Sequence, residues 1–335
     1  MADAAPHPRQ VFDLKGHEAA EAAFEEARGR GRLHHAWLLT GTEGVGKATF
    51  AFRAARRLLG APPNPAYGLL GASPDHPVSR QIIARSHPDL MVLERVGEDG
   101  KPRKVIPVDE ARKLSDFFAK SPASAPHRVA IIDAADDLNV NAANAVLKTL
   151  EEPPPRGVIL LISHSPGKLL PTIRSRCRRL AVPAPGVERA ADMVEHRLGL
   201  DRRQAERLGR MAHGAPGKAL QLAAAKALEA DDTAGEILRK LPEIDEAALL
   251  ALADTFKGAE GQARFELLFE RLADQIHAMA VGMAGERTPS GLDRWAAAWE
   301  RLVRWPIEAE AVNLDRADVF WTAIADLRAA AKASI

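Results

Sequence analysis

The sequence predicts an α/β P-loop domain built on a parallel sheet, followed by a small helical domain and an all-α C-terminal domain. Three observations carry that prediction. The stretch GTEGVGKATF, residues 41–50, follows the apolar run Ala36–Leu39 and leads into the helix-like run Phe50–Leu59, the strand, loop and helix order of a phosphate-binding unit. A second apolar run, Val129–Ile132, ends in Asp133, where P-loop proteins place a carboxylate near the metal. The first half of the chain alternates strand-like and helix-like patterns, as expected of a parallel sheet covered on both faces.

Taken in order, the predicted strands are Ala36–Leu39, Leu90–Leu93, Val129–Ile132 and Val158–Ile162. The turn-rich stretch Gly97–Pro102 suggests a hairpin-like excursion, and Pro153-Pro154-Pro155 must end the helix before it. One α/β domain is expected over residues 1–182. Pro183-Ala184-Pro185-Gly186 reads as a hinge into a small helical unit, residues 183–226. Residues 227–335 read as wholly helical: Phe265, Leu268, Phe269, Leu272, Ile276, Met279 and Met283 recur at spacings of three and four and form one apolar stripe. Trp295, Trp299, Trp305 and Trp321 lie in the same region, where a packed bundle accounts for them and a subunit interface is the alternative.

At 335 residues the chain is long enough for two or three domains. A hydrophobic fraction of 46% and a charged fraction of 27% describe a globular protein. The formal net charge of +1 argues against a strongly basic nucleic-acid binder, so any DNA contact should be local or shared. Cys177 is the single cysteine, which excludes an internal disulfide and fits a reducing, cytoplasmic setting. Neither a secretory leader nor a run of roughly 18 apolar residues is visible, so no membrane association is expected.

The usual phosphate loop reads G-x-x-x-x-G-K-[ST]: glycines let backbone N–H groups surround phosphate, Lys meets the outer phosphates and the hydroxyl holds Mg²⁺. Gly41, Gly44, Gly46 and Lys47 supply the loop, but Ala48 stands at the hydroxyl position. Thr49 is a substitute with poor geometry. Binding of ATP without turnover stays open, because Lys47 and the loop backbone are intact.

DDLNVNAANAVLKTLEEPPP (136–155), VILLISHSP (158–166) and LPTIRSRCRRL (170–180) carry a resemblance to the AAA+ clamp-loader family. Within it the chain is similar to the delta-prime subunits of bacterial DNA polymerase III. Gly31–Ala36 and Ser86–Leu90 support this, as do the order and spacing of the motifs. The resemblance implies that 183–226 is a lid and 227–335 a collar. It implies that Ser175-Arg176-Cys177 is the S-R-C motif, whose arginine, Arg176, reaches the γ-phosphate held by an adjacent subunit. A planar, permanently charged guanidinium suits that task. Ser163 would be sensor 1. In the sensor-2 segment, Gly214–Leu220, Gly217 falls where an active ATPase has arginine, and Lys218 is adjacent.

Active AAA+ ATPases carry Glu directly after the strand-end Asp, a base worth roughly 10²–10⁴ in rate; here the residue is Ala134. Slow hydrolysis or none is therefore expected. Many relatives carry a four-cysteine zinc module between the P-loop helix and the second strand. Residues 60–88 contain no cysteine, and Asp75, His76 and His87 read as ordinary surface residues, so no zinc is expected. The implied partners are tau/gamma ATPase subunits and a delta subunit in a five-subunit ring, with the sliding clamp and primed DNA engaged through the assembly.

Blander readings stand beside these. Arg174, Arg176 and Arg178 would share one face of a basic strand if extended. His34 and His35 would point oppositely on a strand, which disfavours joint metal coordination. Cys177 has arginine neighbours but no catalytic partner. Lys148, Glu151 and Glu152 form a solvated helix face. The rival functions are an active AAA+ motor such as a branch-migration helicase, with Lys47 and Asp133 as its machinery, and a small-molecule P-loop kinase, which leaves Ser175-Arg176-Cys177 unexplained.

Overall fold

The computed structural model describes residues 6–31, 33–96, 103–284 and 292–332. The chain divides into two compact units, Met1–Gln221 and Leu222–Ile335. In the first unit, five parallel strands lie in the order β2-β3-β4-β1-β5. They are β1 Ala36–Thr40, β2 Leu90–Glu94, β3 Arg128–Asp133, β4 Gly157–Ser163 and β5 Arg178–Ala181. Its helices are α1 Glu18–Gly29, α2 Lys47–Leu58, α3 Pro77–Ile83, α4 Val108–Phe118, α5 Val140–Glu151, α6 Pro171–Arg176, α7 Val187–Leu198, α8 Arg202–Met211 and α9 Pro216–Ala224, the last running across the boundary between the units.

The central strands are apolar between their ends because both faces of the sheet are covered, and their side chains sort by the two-residue period. Trp37, Leu39, Val129, Ile131, Val158, Leu160 and Ile162 enter one core with Phe24 of α1 and Phe50, Ala54 and Leu58 of α2. Ala36, Leu38, Ala130, Ile132, Ile159 and Leu161 enter the opposite core with Leu114 of α4, Val146 of α5 and Ile173 of α6. Every residue of β1 and β4 is buried.

Local chemistry sets the joints between these elements. Asp89, which has no exposed surface, accepts the backbone N–H groups of Ala123 (2.7 Å), Ser124 (2.9 Å) and Ala125 (3.1 Å) and pairs with Arg128 at 3.4 Å. It ties the loop before β3 to the start of β2, where Leu90 pairs with Val129. Asn139 caps α5 by accepting the Ala142 N–H at 2.8 Å. Pro171 opens α6 at a position where its missing N–H costs nothing.

One alternative reading and one expectation are corrected. The arginine-rich segment is not one basic strand: Arg174 and Arg176 lie on α6, and only Arg178 and its successors extend, as β5. β5 went unforeseen because Leu180 is its only buried side chain, leaving backbone pairing with β1 rather than an apolar pattern to define it. His34 and His35 do not diverge; they lie just before β1 and their rings stack with centroids 4.4 Å apart. The predicted excursion at Gly97–Pro102 lies outside the described residues.

The second unit holds α10 Ala227–Lys240, α11 Glu246–Asp254, α12 Gly258–Ala284, α13 Leu292–Val312 and α14 Arg316–Lys332. The predicted stripe on α12 is its core: Phe265, Leu268, Phe269, Leu272 and Ile276 are buried against Trp295, Leu302, Phe320, Ile324 and Leu327, and Met279 is partly buried. The side chain of Met283 lies outside the described residues. Trp295 is buried, Trp305 and Trp321 are half-buried against the same core, and Trp299 is exposed. No helix among the described residues is long and apolar enough to cross a membrane.

Candidate functional site

The phosphate-loop residues form a loop at the end of β1, but much of its geometry serves packing within the chain. The Val182 N–H donates to Thr40 O at 2.7 Å, and the Val182 carbonyl oxygen lies where a Cβ on Gly41 would stand. Gly41 is therefore required by a backbone crossing, whatever the loop binds. Gly44 and Gly46 have φ of +76° and +107°, in the region that favours glycine. Gly44 faces the first turn of α9: its carbonyl accepts the Gly217 N–H at 2.8 Å, and a Cβ added there would lie 2.9 Å from Lys218 Cα. Behind the loop, His17 donates from Nε2 to Val45 O at 2.8 Å, and Leu14 sits against Gly46.

Lys47 opens α2 and is buried. Its ammonium donates to Gly41 O at 2.7 Å and Thr42 O at 2.6 Å, both carbonyls of its own loop. Burial pushes its pKa down to about 8, against the opposing charges of Asp133, Asp136 and Glu43. Burial, followed by the charge of Glu94, pushes Asp133 up to about 6, opposed by Lys47. Asp133 stands at the end of β3, as predicted, and Ala134 beside it is packed into the core. Ala48 also packs against that core, and Thr49 is buried.

Ser163 ends β4, fully buried, and donates to Asp136 Oδ1 at 2.9 Å. Asp136 also accepts the N–H groups of His164 (2.6 Å) and Ser165 (3.2 Å). The hydroxyl proton expected to monitor phosphate is thus given to a carboxylate. Asp136 is a site residue that reading the sequence missed; its place three residues beyond Asp133 was the available signal. The residues offer an incomplete site for a Mg²⁺–triphosphate: Ala48 supplies no metal ligand, and the lysine and the Gly44 carbonyl are engaged within the chain.

Ser175 and Arg176 do not join this loop. They end α6, where Ser175 Oγ donates to Thr172 O at 3.1 Å. Arg176 donates from Nη1 to Thr172 O at 3.1 Å and pairs through Nη2 with Glu151 at 2.9 Å. About a third of its side chain is exposed, 35%, so the guanidinium remains reachable from solvent. Cys177 follows; burial pushes its thiol up to about 12, which disfavours the reactive thiolate at neutral pH. Among the residues considered for zinc, His76 Nδ1 accepts the Val78 N–H at 3.3 Å, Asp75 pairs with Arg80 at 3.3 Å, and His87 Nδ1 accepts the Asp89 N–H at 3.1 Å.

The sheet, the glycine loop before α2 and the acid-ended β3 define a P-loop α/β domain. The family described as "DNA polymerase III, delta subunit" matches residues 16–185, and the chain belongs to that family. It is 38% identical over 178 residues to a DNA polymerase III subunit delta' from Pseudomonas aeruginosa, covering 53% of this chain and 52% of that protein. It is 30% identical over 316 residues to the DNA polymerase III subunit tau of Escherichia coli, covering 89% of this chain and 47% of that protein. The chain thus spans about half the length of these relatives. A solved DNA polymerase III gamma subunit-related protein from Thermotoga maritima is 19% identical with a TM-score of 0.47, covering 94% of this chain and 99% of that one.

Proposed function

We propose that this chain is a non-catalytic subunit of a cytoplasmic DNA polymerase III clamp loader that lends Arg176 to the ATP of a neighbouring subunit. The observation that carries the reading is the contrast between two groups in one domain. Arg176 ends a short surface helix with its guanidinium partly exposed, whereas Lys47 is buried and donates to its own loop. A guanidinium supplied across an interface offsets charge spreading over the γ-phosphate oxygens and is worth about 10³–10⁵ in turnover. Ala134 and Ala48 stand where an active ATPase of this kind has its base and its metal-binding hydroxyl.

In this reading the partners are tau/gamma ATPase subunits and a delta subunit, with the sliding clamp and primed DNA engaged through the assembly. Residues 183–226 act as a lid and 227–335 as a collar. The bond between Gly217 and Gly44 then holds the lid on the phosphate loop, which suits a rigid ring member better than a motor that must open and close. The test is an ATPase assay on the reconstituted complex with Arg176→Ala. Turnover at the adjoining site should fall by about 10³–10⁵-fold, the range expected for an arginine finger, with assembly unchanged by gel filtration. Vigorous Mg²⁺-dependent hydrolysis by the isolated chain would instead support the AAA+ motor reading.

A further inference from the structure

Arg176 lies among four arginines within six residues, Arg174, Arg176, Arg178 and Arg179, and the structure distinguishes it from its neighbours. The guanidinium of Arg178 lies 4.8 Å from the centre of the Trp37 ring, and Arg179 donates from Nε to Thr40 Oγ1 at 3.2 Å. Arg176 is held by the carboxylate of Glu151, the last residue of α5, at 2.9 Å and by Thr172 O at 3.1 Å.

Both supports stand on fixed backbone. Leu150, beside Glu151, is buried, and its carbonyl accepts His35 Nε2 at 3.2 Å, which pins the end of α5 to the entry of β1. Pro153-Pro154-Pro155 then prevents the helix from continuing past it. On α6, buried Ile173 follows Thr172 and anchors the turn that carries Arg176.

We propose that Glu151 is a positioning residue for Arg176, fixing the plane of the guanidinium so that its remaining donors are aimed before a phosphate arrives. This rests on the reading of Arg176 as a finger. Arginine has five N–H donors; Thr172 O and Glu151 take one each in the bonds described, leaving three for phosphate oxygens without releasing either anchor. Pre-aiming raises turnover because less rotamer freedom is lost as the transition state forms. An ion pair this exposed is a weak one, with half of the Glu151 side chain in solvent, so the effect on rate is modest.

The test compares wild-type, Glu151→Ala, Glu151→Gln, Arg176→Ala and the Glu151→Ala/Arg176→Ala double variant in the reconstituted complex with the partner ATPase subunits, with assembly checked by gel filtration. Glu151→Ala should lower kcat by about two- to fivefold and leave KM for ATP unchanged. Glu151→Gln, which keeps an acceptor oxygen, should retain most of the rate, and Glu151→Ala should have no further effect once Arg176 is gone. An unchanged or raised kcat in Glu151→Ala would overturn the proposal, as would a loss that persists in the Arg176→Ala background. A complex indifferent to Arg176→Ala would reject the finger itself; a complex that needs Arg176 but not Glu151 would reject the positioning role alone.

Discussion

Gly44→Ala tests whether the phosphate loop is built around the start of α9. Two costs add at this position. An L-residue forced to the φ of +76° found here loses about 1 kcal/mol or more. The new methyl would also overlap the backbone at Lys218, so the 2.8 Å bond from Gly217 N–H to Gly44 O must break, which costs about another 1 kcal/mol. The expected loss is about 2–3 kcal/mol. Gly199→Ala supplies the reference: its φ is +65° and nothing lies within 4 Å of an added Cβ, so only the conformational cost of about 1 kcal/mol applies. Urea denaturation followed by far-UV circular dichroism compares the two, and hydrogen exchange at the Gly217 amide reports the bond directly. Equal stabilities for the two variants, with Gly217 still protected in Gly44→Ala, would refute the reasoning.

Two carboxylates should respond to pH in opposite directions. Asp133 is raised from 3.8 to about 6, so the folded state holds more protons across that window; its contribution favours folding below about pH 4 and is lost as pH rises through 6. Asp133→Asn should therefore stabilise the chain by about 1–2 kcal/mol at pH 7–8 and lose that advantage near pH 4, measured as the difference in Tm across the range. For Asp89, burial alone would raise the pKa, but the N–H groups of Ala123, Ser124 and Ala125, with Arg128, hold it below its ordinary value. Its stabilisation is present at neutral pH and lost as pH falls through that depressed value, so Asp89→Ala should cost about 3 kcal/mol at pH 7 and progressively less on acidification, read from urea midpoints at several pH values.

The central sheet was legible because the interiors of β1, β3 and β4 are buried on both faces and form continuous apolar runs. The stripe on α12 was legible for the matching reason, a single buried face repeating at helical spacing. β5 was not, since a strand defined by backbone pairing and one buried leucine leaves almost no pattern in its side chains. At the site, the loop glycines, Lys47 and Asp133 were found where their spacing placed them. What spacing could not reveal was which partner each group had taken: Gly41 answers to Val182, Gly44 to Gly217, Ser163 to Asp136 and Arg176 to Glu151, all of them contacts between segments distant in sequence. The expected divergence of His34 and His35 failed for a related reason, because the strand on which alternation would apply begins only at Ala36.

The central claim is that this domain matters to ATP turnover through Arg176 and not through its own phosphate loop. Its most direct test is the ATPase rate of two reconstituted complexes, one carrying Lys47→Ala and the other Arg176→Ala, each matched to wild type for assembly. The account predicts a near-wild-type rate for Lys47→Ala and loss of turnover at the adjoining site for Arg176→Ala. A reversed pattern, with Lys47→Ala abolishing turnover and Arg176→Ala leaving it intact, would contradict it.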